Sequence, residues 1–410
     1  MRSRLFFTYV VLLATVLLSL THANGQDFCF EAAVPYAAGD SPYSVFAADL
    51  DGDNDADLVV ANNYSDNVSV FKNNGDGTFA AAVNYAAGNG PFSVFAADLD
   101  GDTDADLAVA DYDGDNVSVL KNDGDGTFAA AVTYAAGHGP HSVFAADLDG
   151  DTDADLAVAN YFSDNVSVFK NNGDETFAAA VTYAAGDGAG SVFAADLDGD
   201  TDADLAVANF NSGNVSVLKN NGDGTFAAPV NYATGYGSYS IFAADLDGDN
   251  DADLAAAVSN WGRISVLKNN GNGTFAAAEN YSSGGEGPLS VFAADLDGDN
   301  DADLAVANYV SPNVSVRKNC LAHLCFCGNP GDVDNSGGPP TPLGVTFLVQ
   351  KVYKGQDALY DYHGLHACPY ENGDVNGDGG SATPLDVTYL VQKVYKSLDA
   401  LCADRCAGCP

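Results

Sequence analysis

DLDGDNDAD occupies residues 49–57, and nearly the same nine residues return at 98, 147, 196, 245 and 295. The step is 49 residues, with one step of 50 before the last copy. A period of this length constrains the chain more than any other feature. Each repeat must be one supersecondary unit that buries its apolar face against its neighbours. One unit reads TFAAAVNYAAGNGPFSVFAADLDGDTDADLAVADYDGDNVSVLKN. SVFAADL and DLAVA flank the acidic stretch, NVSVLK alternates Val with polar residues, and TFAAAVTY follows a Gly/Asn-rich turn. These are four short β segments separated by turn signals.

Four strands per unit of 40–50 residues predict a β-propeller. The sixth unit stops after NVSVRKNC, without a fourth strand, whereas FCFEAAVPYAAG (28–39) reads as a lone fourth strand. The expectation is an all-β six-bladed propeller of four-stranded antiparallel blades over 26–320, its ring closed by the N-terminal strand. Cys29 aligns with Thr78 and Cys320 with Asn74, the two sides of a tight turn in other blades. A Cys29–Cys320 disulfide is therefore expected in place of the turn that this closure lacks.

Six loops of five aspartates carry 30 of the 57 acidic residues behind a net charge of −42. That charge argues against nucleic acid as a partner. A disordered acidic chain is a poor match to 47% hydrophobic content with strict periodicity. Alternate carboxylates around a turn glycine, as in the first half of an EF-hand loop, suit a hard cation, and outside a cell that is Ca²⁺. The candidate ligands are Asp49, Asp51, Asp53, Asp55 and Asp57 in the first loop, and Asp98, Asp100, Asp102, Asp104 and Asp106 in the second. The third offers Asp147, Asp149, Asp151, Asp153 and Asp155, and the fourth Asp196, Asp198, Asp200, Asp202 and Asp204. The fifth offers Asp245, Asp247, Asp249, Asp251 and Asp253, and the sixth Asp295, Asp297, Asp299, Asp301 and Asp303. The seventh loop position is expected to contribute its main-chain carbonyl rather than its side chain.

DLDGDTDADLAVAN followed by NVSVLKNNGDGTF resembles the FG-GAP/VCBS repeat, the unit of integrin α-subunit propellers and many bacterial surface proteins. The resemblance implies one Ca²⁺ per loop between the first two strands of a blade, about six in all. Two departures stand out. Integrin propellers have seven blades, and the aspartate at loop position 7 is unusual for the family.

The repeats differ in two loops. The connections between blades read GDSPYS, GNGPFS, GHGPHS, GDGAGS, GYGSYS and GEGPLS. The connections between second and third strands read NNYSD, DYDGD, NYFSD, NFNSG, VSNWGR and NYVSP. In an up-and-down blade both lie opposite the acidic loops. Tyr112, Tyr161, Phe210, Trp261 and Tyr309, with Tyr43, Phe92, His141 and Tyr239, would rim that face. Such a ring can hold a sugar or peptide, or else pack between blades. No nucleophile–base pair, zinc motif or phosphate loop is present, so no catalytic residue is assigned.

Residues 1–25, with Arg2 and Arg4 ahead of an apolar run, read as a secretory signal peptide, and no later stretch reads as a membrane span. A secreted or cell-surface monomer is expected, with its Cys in disulfides. From 321 to 410 the chain changes character. GDVDNSGGPPTPLGVTFLVQKVYKGQDALY recurs as GDVNGDGGSATPLDVTYLVQKVYKSLDALC, each an acidic loop followed by a helix capped at Thr341 or Thr383. This duplication resembles a dockerin, a small α-helical module that attaches secreted proteins to a cohesin on a scaffold. The resemblance implies Ca²⁺ at Asp374, Asn376, Asp378 and Asp386, with a weaker match at Asp332, Asp334 and Ser336, hence one or two ions in the tail. Cys325, Cys327, Cys368, Cys402, Cys406 and Cys409 would staple the module in a pairing the sequence does not choose. The leading expectation is non-catalytic recognition or adhesion: a glycan or surface protein on the propeller, a cohesin-like scaffold on the tail. A structural spacer comes second and a polysaccharide-acting enzyme component third.

Overall fold

The computed structural model describes residues 34–173, 176–299 and 301–319. The N-terminal apolar segment, Cys29, Cys320 and the whole dockerin-like tail, with Asp374, Asn376, Asp378 and Asp386, lie outside the described residues. By internal contacts the chain divides into two compact units. The first takes in the described residues up to 244, with 251–293 and 305–315; the second takes in 245–250, 294–304 and the residues from 316.

Pro42–Ala48, Asp57–Asn62, Asn67–Phe71 and Val83–Ala86 form a four-stranded antiparallel sheet in sequential order. Four more sheets of the same order begin at Pro91, Pro140, Ala189 and Ser238. A sixth sheet shows three strands, Pro288–Ala294, Asp303–Asn308 and Asn313–Arg317. This is the fold of a six-bladed β-propeller with four-stranded antiparallel blades, as the repeat predicts. Among the described residues there is no α-helix, only 3-10 turns at Asn63–Ser65 and Ser259–Trp261. The fourth strand expected from 28–39 to complete the sixth blade is not seen in the described part of that stretch: residues 34–38 carry no strand and the sixth sheet holds three, while 28–33 lie outside the described residues.

Pairing within the first blade sets the two ends apart. Ala48 faces Asp57 beside the acidic loop, and Pro42 faces Asn62 at the other end of the same strands. The residue pattern explains the layering. In the second blade Leu107, Ala108, Val109 and Ala110 are all buried, so this strand is covered on both faces. Small alanines let the neighbouring sheets approach closely. Val59, Ala61, Val68 and Val70 of the first blade share one cluster with Val94, Leu107, Val109, Leu120 and Phe128 of the second. The core therefore lies between adjacent blades, and each fully buried Val or Leu contributes about 1.5–3 kcal/mol relative to exposure. The fourth strands are mostly exposed, with only the tyrosine of VTYA turned partly inward. On the first strands the alternation turns Val94 into the inter-blade core and Phe95 toward Phe46 and Phe144. Phe46, Phe95, Phe144, Phe193, Phe242 and Phe292 follow one another at centroid spacings of 4.7–4.8 Å.

Candidate functional site

The acidic loop is built by its own carboxylates. Asp49 Oδ1 accepts from Gly52 N at 2.9 Å and Oδ2 from Asn54 N at 2.9 Å, closing the turn that the glycine permits at φ 76°. The second loop repeats this on Asp98, the third on Asp147 and the fourth on Asp196. Asp53, at position 5, accepts from Asp55 N, and Asp102, Asp151 and Asp200 do likewise. Asp57, at position 9, is fully buried; its Oδ2 accepts from Leu50 N at 3.0 Å and its Oδ1 from Asn73 N at 2.6 Å. The same double bond pins Asp106, Asp155 and Asp204. Position 9 thus anchors the loop to the start of the turn between third and fourth strands.

Oxygens of Asp49, Asp51 and Asp53 come within 4.8 Å of one another, as do those of Asp98, Asp100 and Asp106, of Asp147, Asp149 and Asp155, and of Asp196, Asp198 and Asp204. The donor set is all-oxygen. Asp51 Oδ1, Asp149 Oδ1 and Asp198 Oδ1 are buried and accept no hydrogen bond. A buried acceptor left bare is costly, and the same atom is bare in three loops, so the residues fit a hard cation held at positions 1, 3 and 5 or 9. Backbone strain points the same way: Thr103, Thr152 and Thr201 sit at φ 79–80°, a region disfavoured for β-branched residues.

Position 7 belongs elsewhere. Asp55, Asp104, Asp153 and Asp202 point their Oδ2 at Gly75, Gly124, Gly173 and Gly222 in the third-to-fourth-strand turn, so close that a Cβ there would lie 2.5–2.8 Å away. Their side chains are absent from the convergent triads of the first four loops. In these four repeats the extra aspartate therefore turns its side chain toward a turn glycine.

Burial pushes Asp106, Asp155 and Asp204 up to about 6, against the pull of their two backbone N–H bonds. Burial raises Asp57 in the same way, and Asp51 and Asp53 add repulsion. Lysines relieve part of this. Lys72 lies 3.5 Å from Asp51, Lys121 3.8 Å from Asp100, Lys170 3.3 Å from Asp149 and Lys219 3.1 Å from Asp198. Lys72 Nζ also donates to Asp125 O in the next blade, and Lys170 and Lys219 do the same to Asp223 O and Asn272 O.

Within the second unit, Asp245 closes its loop with bonds from Gly248 N and Asn250 N at 2.7 and 3.0 Å. Asp295 accepts from Gly298 N at 2.6 Å, buried Asp303 accepts from Leu296 N and Asn319 N, and Lys318 lies 3.2 Å from Asp297.

At the opposite ends of the strands, the variable loops meet. Phe92 contacts Tyr43 at 4.4 Å, His141 at 4.1 Å and Tyr112 at 5.4 Å between centroids. His141 contacts Tyr161 at 5.5 Å and Tyr239 at 5.3 Å, and its Nδ1 lies 2.6 Å from Gly190 O. Burial lowers His141 to about 4. Phe210 joins through Tyr161 and Tyr239. Tyr112, Tyr161 and Phe210 are thus brought together largely by packing on one another. Trp261 and Tyr309 stand out instead, 66% and 77% exposed. One repeat of 49 residues places Trp261 opposite Ser212 rather than Phe210, two places further along the turn, with Arg263 5.6 Å from its ring.

Sequence reasoning missed Tyr64, Phe162 and Tyr236, which are exposed in the same two variable loops. It also missed a recurrent pairing of those loops. Tyr64 N donates to Asp40 O, Phe162 N to His138 O, Asn211 N to Asp187 O and Val310 N to Glu286 O, at 3.1–3.2 Å. Each such blade presents two variable side chains on a rigid backbone frame. The lysine that ends NVSV-type strands was a legible signal, since it recurs with the loops.

Residues 49–109, 98–158, 147–207, 196–256 and 247–306 each match the FG-GAP-like repeat, together more than half of the chain. No curated protein matches the sequence significantly. Among solved structures, an Agrocybe aegerita lectin described as recognising non-reducing terminal N-acetylglucosamine is 26% identical, over 68% of this chain and 81% of its own, with a TM-score of 0.48. A Lactobacillus plantarum protein is 18% identical over 69% of this chain and 82% of its own, with a TM-score of 0.52. A putative 6-phosphogluconolactonase from Bacteroides fragilis is 15% identical over 68% and 83%, with a TM-score of 0.52. The last two share the fold alone. The family match rests on the repeats whose loops and strands are described above, and by it the chain belongs to the FG-GAP-like repeat family.

Proposed function

We propose that this is a secreted, calcium-loaded recognition or adhesion protein without catalytic activity. Its propeller binds a glycan or protein ligand on the aromatic face, and its tail attaches to a cohesin-like scaffold. One observation carries the reading: the blades repeat almost without change except at the paired rim positions, such as Asp40 with Tyr64, His138 with Phe162 and Asp187 with Asn211. A framework held constant around side chains that differ from blade to blade is what a recognition surface requires. Exposed aromatic rings beside carboxylates and amides suit the apolar faces and hydroxyls of a sugar. Calcium serves the framework, since each ion would tie two strands and offset two of five loop charges. Its affinity per site is expected on the order of 10⁻⁴–10⁻³ M, as in extracellular modules.

A structural spacer is the second reading, and the packing of half-buried Phe92 and Tyr239 on buried His141 favours it. A glycan and surface-protein binding screen with the full chain, in Ca²⁺ and then in EDTA, separates the two. Binding that is lost on replacing Phe162 and Trp261 by Ala, with the fold intact, supports recognition. No binding by a folded, calcium-loaded protein supports the spacer.

A further inference from the structure

The second strand ends on asparagine in four blades, and the residue builds the same small network each time. Asn62 Nδ2 donates to Asn67 Oδ1 and Ser69 Oγ, both at 2.8 Å. Asn160 and Asn209 make the same pair of bonds at 2.7–2.9 Å, and Asn308 at 2.8 and 3.0 Å. In the second blade the position is Asp111, fully buried and directly opposite Asn116 across the sheet.

The exchange removes the donor. Ser118 Oγ donates to Asp111 Oδ2 at 2.6 Å, and Gly88 N donates to Ser118 Oγ at 2.9 Å. Asn116 spends its Nδ2 on Gly114 O at 2.9 Å, which leaves its Oδ1 facing Asp111. Asp111 Oδ2 and Asn116 Oδ1 lie 2.3 and 2.8 Å from the point where a Cβ on Gly88 would stand. Asp111 Oδ1 and Asn116 Oδ1 are both buried and receive no hydrogen bond. An ionised Asp111 would set acceptor against acceptor in a site closed to water.

We propose that Asp111 is held as a neutral carboxylic acid in the folded protein and donates its own proton to Asn116 Oδ1, giving the second blade a proton-dependent latch where four of its sisters carry an amide and the fifth blade carries Val258. Burial supports this by pushing Asp111 up to about 7, against the lowering effect of hydrogen bonds from Ser118 and the Gly88 N–H. Asp66, from the turn of the preceding blade, adds repulsion. Asp113 and Asp115 lie in its own turn. The adjoining strands 91–97 and 116–120 and loop 87–90 carry no charged residue, strand 132–135 offers only Tyr134, and strand 140–146, packed on the same strand from the next blade, offers His141, which burial holds neutral above about 4. The latch sits beneath the aromatic face: Tyr112, the next residue, bonds to Gly90 O at 2.9 Å and stacks on Phe92.

The linkage has one sign. The folded state keeps a proton that the unfolded chain releases near 3.8, so the stabilisation is complete below that value and is lost as pH rises to about 7. Asp111→Asn restores the residue of four other blades and supplies the donor at any pH. The test compares thermal midpoints of the full chain and D111N in saturating Ca²⁺ from about pH 5 to about pH 8.5, where effects of the calcium loops cancel in the difference. The expected result is a D111N advantage that grows by several degrees toward neutrality and then levels. The Asp111 carboxyl carbon, followed by NMR in the folded protein, should titrate near neutrality. A constant offset between the two proteins, or a carboxyl carbon titrating at or below the ordinary aspartate value, overturns the proposal.

Discussion

Asn122 Nδ2 lies 2.8 Å from Leu50 O, seventy-two residues earlier and one blade away. The same amide donates to Ala105 O at 3.0 Å, and its Oδ1 accepts from Gly124 N and Gly126 N. One buried side chain therefore ties the acidic loop of one blade to the loop and turn of the next. Asn171, Asn220 and Asn269 repeat the long bond to Leu99, Leu148 and Leu197. Asn122→Ala strands two carbonyls and two amides together, and a loss of about 2–4 kcal/mol is expected. Asn74→Ala, removing an exposed bond to Thr78 Oγ1, should cost less than about 0.5 kcal/mol. Urea unfolding of both variants in Ca²⁺ checks the contrast; equal losses would mean that the inter-blade bond carries no special weight.

The two kinds of loop aspartate should behave differently. Replacing Asp51, Asp100, Asp149 and Asp198 together by Asn alters the third loop position, whose Oδ1 is bare in Asp51, Asp149 and Asp198 and accepts from Asp102 N in Asp100. Four of the proposed calcium sites should weaken by tenfold or more, about 1.4 kcal/mol each. Replacing Asp55, Asp104, Asp153 and Asp202 by Asn alters carboxylates that meet turn glycines instead. Calcium stoichiometry should survive that change. Equilibrium dialysis with ⁴⁵Ca²⁺ measures both, and loss of sites in the second variant would return position 7 to the ligand set.

How much of this was readable in advance follows from what a repeat encodes. Periodicity says which residues are equivalent, so six blades, four strands and one acidic loop per blade were legible from DLDGD and NVSV alone. It does not say which residues touch. Lys72 reaches a carbonyl 53 residues on, and His141 meets Tyr239 two blades away. EF-hand spacing set Asp55 apart from Asp57, but where the Asp55 side chain goes escapes a spacing argument, because it depends on how closely the Gly75 turn approaches. Trp261 and Phe210 share the second-to-third-strand loop, yet the period offsets Trp261 by two places.

Without calcium, the protein should be more stable in mild acid than at neutral pH. Asp106, Asp155 and Asp204 stand at about 6 when folded against 3.8 as the ordinary value. Between those values the folded state binds more protons than the unfolded chain, so stability falls as pH rises toward 6 and stays low above it. His141 opposes this, because its lowered value makes stability fall as pH drops from 6.5 toward 4. Three groups outweigh one. The thermal midpoint in EDTA should therefore rise between about pH 7.5 and pH 5.5. In saturating Ca²⁺ the order should reverse, since bound cation keeps the carboxylates ionised and protons then compete with it. A midpoint in EDTA that falls on acidification would remove the buried carboxylates as the dominant charge in the calcium-free state.

Loop strain offers a last test, independent of charge. Thr103, Thr152 and Thr201 occupy the left-handed region at the loop position where the first and fifth loops carry Asn54 and Asn250, both at φ 69°. Asparagine tolerates this conformation, and a β-branched residue pays roughly 1–2 kcal/mol more for it. Their backbone N–H groups bond to Asp98, Asp147 and Asp196 at 3.0 Å, so the conformation is held by the loop and not by the threonine side chain. The triple change to Asn should keep every one of those bonds and raise stability in EDTA by about 3–6 kcal/mol in total. Calcium affinity should rise with it, because a loop already resting in the bound shape loses less on binding. Guanidinium unfolding with and without Ca²⁺ checks both effects. An unchanged midpoint would mean that the threonines carry no strain, and that loop shape is set by the aspartates alone.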